Sequence, residues 1–176
     1  SNFSYDTDWP GLVWNMIHEL GHTFGLVAHS DSLDCGDKTV DIDCENFPYG
    51  NPFDAMGGWD GKIFSFLQQA GAGWLNSDNI IVIHQSGSYH LDNLQTVNGA
   101  VGAAITLPGM SGPIFALEHR KSEGFDSGIS NDQINSVSNG LILYSTKSTS
   151  PGWGDFWKIV DPHPTEEPIY EDTVED

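Results

Sequence analysis

The chain has 176 residues, of which 38% are hydrophobic and 11% aromatic, so it is long enough to bury one core. Its 25 acidic residues outnumber its 6 lysines and arginines and give a net charge of −19. This charge excludes nucleic acid and anionic membrane surfaces as partners, because both would repel the protein. The sequence has no apolar run of 18 or more residues, so we expect no membrane span.

The first predicted element is a helix over about residues 11–24. Asp8 suits its N-cap, and Pro10 suits its first turn, where a missing N–H costs nothing. Four apolar residues at offsets of four, three and four are expected to pack on the core: Val13, Ile17, Leu20 and Phe24. His18 lies about 100° round the helix from this stripe and is free to face a cleft.

The same helix carries the pattern His18-Glu19-Leu-Gly-His22. Histidines four residues apart share one helical face and can bind one Zn²⁺, and Glu19 beside them can act as general base. Gly25 can take the left-handed conformation that ends the helix and turns the chain back towards the metal. His29 is then the candidate third ligand, and an ordinary loop histidine is the alternative interpretation of it.

Two cysteines, Cys35 and Cys44, bracket the loop that follows. Their spacing excludes a CxxC motif and favours a disulfide in an oxidising, extracellular compartment, with two free thiols as the alternative. The loop is rich in carboxylates: Asp31, Asp34, Asp37, Asp41, Asp43 and Glu45. These oxygens could bind Ca²⁺, although their spacing is not that of an EF-hand, and a solvated acidic loop is the common alternative.

After the loop we predict one short helix and then a β-rich region. Ser65 and Gln68 form a capping box for a helix that ends near Ala70. From residue 80 onwards, short β-type runs alternate with turn residues, which favours antiparallel strands at 80–84, 88–91, 101–107, 114–118, 141–144 and 156–160. The organisation is therefore α+β, with residues 1–78 holding the metal site, 79–161 the β-rich domain and 162–176 an acidic tail that is extended or disordered.

We expect the remaining histidines and one charged pair in and after the β-rich part to have structural rather than functional roles. We leave four histidines out of the site, because a lone strand histidine is usually a surface residue: His84, His90, His119 and His163. Glu118 and Arg120 project to the same strand face, so we expect an ion pair between them or with a neighbour.

The run from His18 to Gly25 resembles the metzincin zinc-binding signature, H-E-x-x-H-x-x-G with a later ligand and a Met-turn. Asn-Pro-Phe-Asp-Ala-Met-Gly-Gly at 51–58 is similar to that Met-turn, with Met56 beneath the zinc. Together with residues 64–75, it resembles the gametolysin and immune inhibitor A peptidase groups more specifically. The resemblance implies the C-terminal part of a zincin catalytic domain, made of active-site helix, Met-turn and short helix, followed by an antiparallel β-rich region. By the same resemblance, Tyr49 could reach the cleft and stabilise an oxyanion.

The chain departs from that pattern in two ways. The usual spacing puts the third histidine at Ala28, one residue before His29, so the turn absorbs an extra residue or Asp31 or Asp34 ligates instead. In addition, only 17 residues precede His18, whereas the family places a sheet before this helix. We expect the rest of a longer chain, or another chain, to supply that sheet.

Three functional hypotheses follow. The first is a secreted zinc endopeptidase that acts on protein or peptide substrates, with Glu19 as general base and His18, His22 and His29 as ligands. The second is a catalytically silent peptidase-like module for binding or adhesion. The third is a zinc hydrolase of a non-peptide bond.

Overall fold

In the part of the chain that the structure describes, a seven-stranded mixed sheet and two α-helices make up an α+β fold. The computed structural model describes residues 9–26, 28–41, 43–58, 63–96, 98–127, 139–146 and 157–160. In chain order the elements are α1 (Trp9–Thr23), β1 (Asp31–Asp34), β2 (Glu45–Phe47), α2 (Phe66–Gly71), β3 (Ile80–Ile83), β4 (Gly102–Ile105), β5 (Phe115–Lys121), β6 (Asn139–Thr146) and β7 (Trp157–Val160).

The strands lie in the order β2-β1-β7-β6-β5-β4-β3. Most neighbours are antiparallel, as predicted, but β1 runs parallel to β7 and β3 runs parallel to β4. The sheet therefore joins strands from both sides of residue 78. The division of the chain into domains near that position stays a prediction.

Five of the six predicted strands of the β-rich part are confirmed by β3 to β7. The sixth prediction is wrong, since residues 88–91 form no strand. Conversely, β1 and β2 arise in the segment predicted to be an acidic loop, where β1 is held between β2 and β7.

The main core lies where α2 packs against the inner face of the sheet. The helix begins as predicted, because the Ser65 hydroxyl accepts a hydrogen bond from the Gln68 amide at 3.3 Å. The reciprocal half of the capping box is absent, since the Gln68 side chain donates to the Ala28 carbonyl oxygen instead. The buried hydrophobic cluster consists of Phe53, Phe66, Leu67, Leu94, Val101, Ala116, Ile142, Tyr144, Trp157 and Ile159.

Helix α1 forms as predicted, but its apolar stripe is not part of that core. Five large apolar side chains on one side of the helix are between 49% and 65% exposed: Leu12, Val13, Met16, Leu20 and Phe24. The expectation that Val13, Leu20 and Phe24 pack on the core of this chain is therefore wrong. Periodicity identified an apolar face correctly, but the sheet lies against other parts of the chain.

Three predictions lie outside the described residues: the Asp8 N-cap, the acidic tail at 162–176 and the surface placement of His163. Within the described ranges, no helix combines the length and hydrophobicity needed to cross a membrane.

Candidate metal centre

The structure brings His18, His22 and His29 together. Their potential ligand nitrogens all lie within 4.8 Å of one another. The ring centroids are 5.0 Å apart for His18 and His22, 5.4 Å for His18 and His29, and 5.2 Å for His22 and His29. Three imidazoles at such distances can converge on one ion of the size of Zn²⁺, which takes nitrogen ligands at about 2.0–2.1 Å.

A glycine turn brings His29 back to the helix. Gly25 has φ of 94°, its amide donates to the His22 carbonyl oxygen at 3.1 Å, and the Leu26 amide donates to the Gly21 carbonyl oxygen at 3.1 Å. This is a Schellman motif, in which a left-handed glycine reverses the chain after the last helical turn. The predicted role of Gly25 is confirmed, and the additional residue before His29 does not keep this histidine away from the pair on α1.

Backbone carbonyls fix the tautomers of the two helical histidines. His18 Nδ1 lies 2.9 Å from the Ala55 carbonyl oxygen, and His22 Nδ1 lies 2.7 Å from the Leu26 carbonyl oxygen. A carbonyl oxygen only accepts, so each Nδ1 carries the hydrogen and donates. The lone pair on each Nε2 is then available for a metal ion, as in histidine–metal sites whose other ring nitrogen is hydrogen-bonded.

The turn at residues 51–58, for which the sequence predicts a Met-turn, supports both segments that carry the histidines. Besides the bond from His18 to Ala55, the Met56 carbonyl oxygen accepts from the Ser30 amide, adjacent to His29, at 2.9 Å. The Met56 side chain is fully buried, and its sulfur lies 2.5 Å from where a Cβ at Gly21 would stand. Any larger residue at Gly21 would therefore displace the methionine from the helix that carries the histidines.

The aspartates considered as alternative ligands have other partners. Asp31 accepts from the Tyr49 amide and the Asn46 side chain, each at 3.1 Å, and forms an ion pair with Lys158. Burial alone would raise the pKa of Asp31, but these hydrogen bonds, led by that from Lys158, outweigh it and lower the pKa. Asp34 accepts from the Gly36 amide at 2.7 Å. Neither aspartate belongs to the cluster of potential ligands.

Tyr49 lies over His29. Its ring is stacked on the imidazole with centroids 4.0 Å apart, and its hydroxyl is 3.0 Å from His29 Nε2. Tyr49 has φ of 60°, a left-handed conformation that is rare for a bulky residue. The hydrogen bond that its backbone amide donates to the Asp31 carboxylate helps to hold it there. The sequence suggested that Tyr49 could reach the cleft. The ion pair of Asp31 with Lys158 was not predicted from the sequence, because Lys158 lies 127 residues after Asp31 in the chain.

The charge state of His29 suits a ligand. Burial first, and then the neighbouring His18 and His22, lower the pKa of this imidazole below its usual value. The neutral ring, with a lone pair on one nitrogen, is the form that binds a metal.

Glu19 lies on α1 directly after His18 and is exposed. One residue corresponds to a rotation of about 100° around a helix, so Glu19 lies between the face that carries the histidines and the apolar face. A solvent-accessible carboxylate at this edge of the site has the chemistry of a proton acceptor.

The predicted disulfide between Cys35 and Cys44 is present and joins the ends of the segment between β1 and β2. Acidic side chains in this region have local partners, including an ion pair between Asp41 and Lys38. Among the described residues, the three histidines are the one cluster of at least three His, Cys, Asp or Glu side chains close enough to share a metal. The Ca²⁺ site in the acidic loop stays a prediction.

Comparison with known proteins adds no further constraint. No protein-family model, no curated protein and no solved structure matches the chain.

Proposed function

We propose that this protein is a zinc-dependent endopeptidase whose metal ligands are His18, His22 and His29. The observation that carries the proposal is the convergence of three imidazoles, two of them with Nδ1 bound to a backbone carbonyl. This donor set is typical of catalytic zinc sites, which use three protein ligands and keep one position open. The resemblance of residues 18–25 and 51–58 to metzincins supports the same function.

Zinc would supply Lewis acidity that polarises a carbonyl group and makes a water molecule more acidic. Glu19 would accept a proton from the attacking water and pass it to the departing amine. The hydroxyl of Tyr49, beside His29, would donate a hydrogen bond to the oxygen on which negative charge develops. The Ala55 and Leu26 carbonyls would keep the His18 and His22 rings oriented during turnover.

The Glu19→Gln variant tests the mechanism, because it keeps the shape of the side chain and removes the proton acceptor. We expect zinc content to stay at the level of the unaltered protein and peptide hydrolysis to fall by about 10² to 10⁴. Asp78→Asn, a change at an exposed carboxylate in the turn before β3 and outside the histidine cluster, is the matched control and should leave hydrolysis unchanged.

The outcomes of this experiment separate the alternatives. Zinc binding without hydrolysis of any peptide or ester in the unaltered protein would favour the silent module. Ester hydrolysis without peptide hydrolysis would favour the non-peptide hydrolase. Near-normal turnover by Glu19→Gln would refute the role of this residue.

We also propose that the exposed face of α1 is covered in the working protein by the rest of a longer polypeptide. Five apolar side chains on one face form a surface of the kind that marks an interface. The net charge of −19 disfavours a second copy of this chain as the partner, because the copies would repel. Monomeric sedimentation of the chain would agree with this, whereas a dimer that Leu20→Lys dissociates would contradict it.

The disulfide and the acidic segment supply two further elements of the proposal. The Cys35–Cys44 bond is of the kind that forms in oxidising compartments, and it supports a secreted protein. We propose that the acidic segment around this disulfide borders the metal site, so that its carboxylates, including Asp34 and Asp37, favour basic over acidic substrates. Cleavage of otherwise identical peptides with Lys or Glu near the scissile bond should show this preference at low salt and lose most of it at high salt.

A further inference from the structure

The inner face of β5 carries a buried ionic cluster that the proposed chemistry does not use. The Arg120 guanidinium donates through Nε and Nη2 to the two carboxylate oxygens of Asp126, at 2.8 and 2.9 Å. Its Nη1 donates to Glu118 at 3.0 Å, and Glu118 also accepts from the Tyr144 hydroxyl at 2.8 Å. All four side chains are at most 1% exposed. The expected pair of Glu118 and Arg120 is thus part of a larger network.

This cluster reaches beyond the sheet in two directions. Arg120 Nη2 donates to the Phe53 carbonyl oxygen at 2.6 Å, within the Met-turn. Glu118 accepts from the Phe66 amide at 2.8 Å, at the first residue of α2. One ion pair on β5 therefore fixes the backbone on both sides of the segment between the Met-turn and α2.

The Phe53 carbonyl lies close in the chain to the atoms that hold the metal ligands. Two residues later, the Ala55 carbonyl accepts from His18 Nδ1. The turn between them is tight, because Asp54 accepts from the Met56 amide at 2.8 Å through its side chain and from the Gly57 amide at 2.8 Å through its carbonyl. A displacement of Phe53 would therefore be transmitted to Ala55 and to the ring of His18.

Stability alone is a weak reason for such a cluster. Burying a charged pair costs desolvation free energy that apolar side chains would not incur. What the guanidinium provides is direction, since its planar fork binds a carboxylate and still presents an N–H to a backbone carbonyl. Few residue types could fix the Phe53 carbonyl and the Asp126 carboxylate at once.

We propose that Arg120 is a positioning residue for the metal centre, which acts by holding the Met-turn so that the Ala55 carbonyl orients His18. The proposal rests on the proposed metal site at the three histidines. It predicts that Arg120, on β5, controls the orientation of His18 on α1 through the hydrogen bonds of the turn around Phe53 and Ala55.

The test compares Arg120→Lys with Ile159→Ala in the 176-residue chain. Lysine keeps the buried positive charge but lacks the planar fork, so it cannot bind Asp126 in bidentate fashion and also reach Phe53. Ile159→Ala removes buried apolar contacts in the same core but none of the hydrogen bonds of Arg120 or of the turn, so it is the control for loss of stability.

Two readouts report on His18. In the metal-free protein, ¹⁵N spectra of the imidazoles should show a fixed Nδ1–H tautomer for His18 in the unaltered protein and in Ile159→Ala. Arg120→Lys should show a mixture of tautomers. Zinc affinity, measured by competition with a chelator, should fall by about tenfold in Arg120→Lys and stay unchanged in Ile159→Ala.

The outcomes are decisive in either direction. Unchanged tautomer and zinc affinity in a folded Arg120→Lys would overturn the proposal and leave the proposed function intact. Failure of the unaltered protein to bind zinc would overturn the metal site and with it this role of Arg120. If Arg120→Lys does not fold, Asp126→Asn replaces it, since it keeps the shape of the clamp and weakens its hold on Arg120. We expect a smaller change in the same direction, and no change in either readout would overturn the proposal.

Discussion

The two sides of α1 have opposite surroundings. On one side, His18 is buried, His22 is half-buried, and both rings are held by backbone carbonyls. On the other, five large apolar side chains are about half exposed or more. One helix thus combines a side that is fully organised within this chain with a side that is not. The histidine side is held by the turn at residues 51–58 and by the glycine turn, both of which lie within this chain.

The sharpest way to examine this contrast is to shorten a leucine on α1 and another in the core. Leu67→Ala should lower the free energy of unfolding by about 2–5 kcal/mol, because Leu67 is 3% exposed in the cluster between α2 and the sheet. Leu20→Ala should change it by only about 0.5 kcal/mol or less, because Leu20 is 50% exposed. Urea unfolding of both variants measures the difference. Equal losses would mean that the α1 face is covered in this chain by itself.

The disulfide should have the next largest effect. The Cys35–Cys44 bond closes a short loop, and its loss in Cys35→Ser/Cys44→Ser should lower the free energy of unfolding by about 2–3 kcal/mol through loop-closure entropy. Because β1 begins two residues after His29, we also expect weaker zinc binding in this variant. Stability equal to that of the oxidised protein would contradict the prediction.

The smallest effect concerns the ion pair of Asp31 and Lys158. The folded-state pKa of Asp31 is lowered, so its contribution to stability is present above the unfolded value of 3.8 and is lost as the pH falls through the folded value. In Asp31→Asn, the unfolding free energy should therefore change less with pH below about 4 than in the unaltered protein. Asp78→Asn, a change at an exposed carboxylate, is the control. Identical pH profiles for Asp31→Asn and the unaltered protein would refute this contribution.

Local sequence was sufficient to predict those features that depend on residues close together in the chain. The α1 helix, the left-handed Gly25, the N-cap at Ser65 and the disulfide belong to this class. Each is determined by spacing and residue type over 15 positions or fewer.

Features that depend on distant segments were not predictable in this way. Strands β1 and β2 have acidic, non-alternating sequences, and β1 is paired on its other side with β7, more than 120 residues later. Likewise, the periodicity of α1 identifies an apolar face but does not show that this face is exposed. The bonds of Arg120 to Phe53 and of Lys158 to Asp31 link segments 67 and 127 residues apart.

Zinc titration of the unaltered protein and of His29→Ala, with a competing chelator, tests the central claim most directly. His84→Ala, a change at an exposed histidine on the β3 side of the sheet, is the matched control. We predict one zinc ion per chain in the unaltered protein and in His84→Ala, and an affinity at least about 100-fold lower in His29→Ala, because one of three protein ligands is lost. A protein that binds no zinc, or His29→Ala with unchanged affinity, would contradict the account.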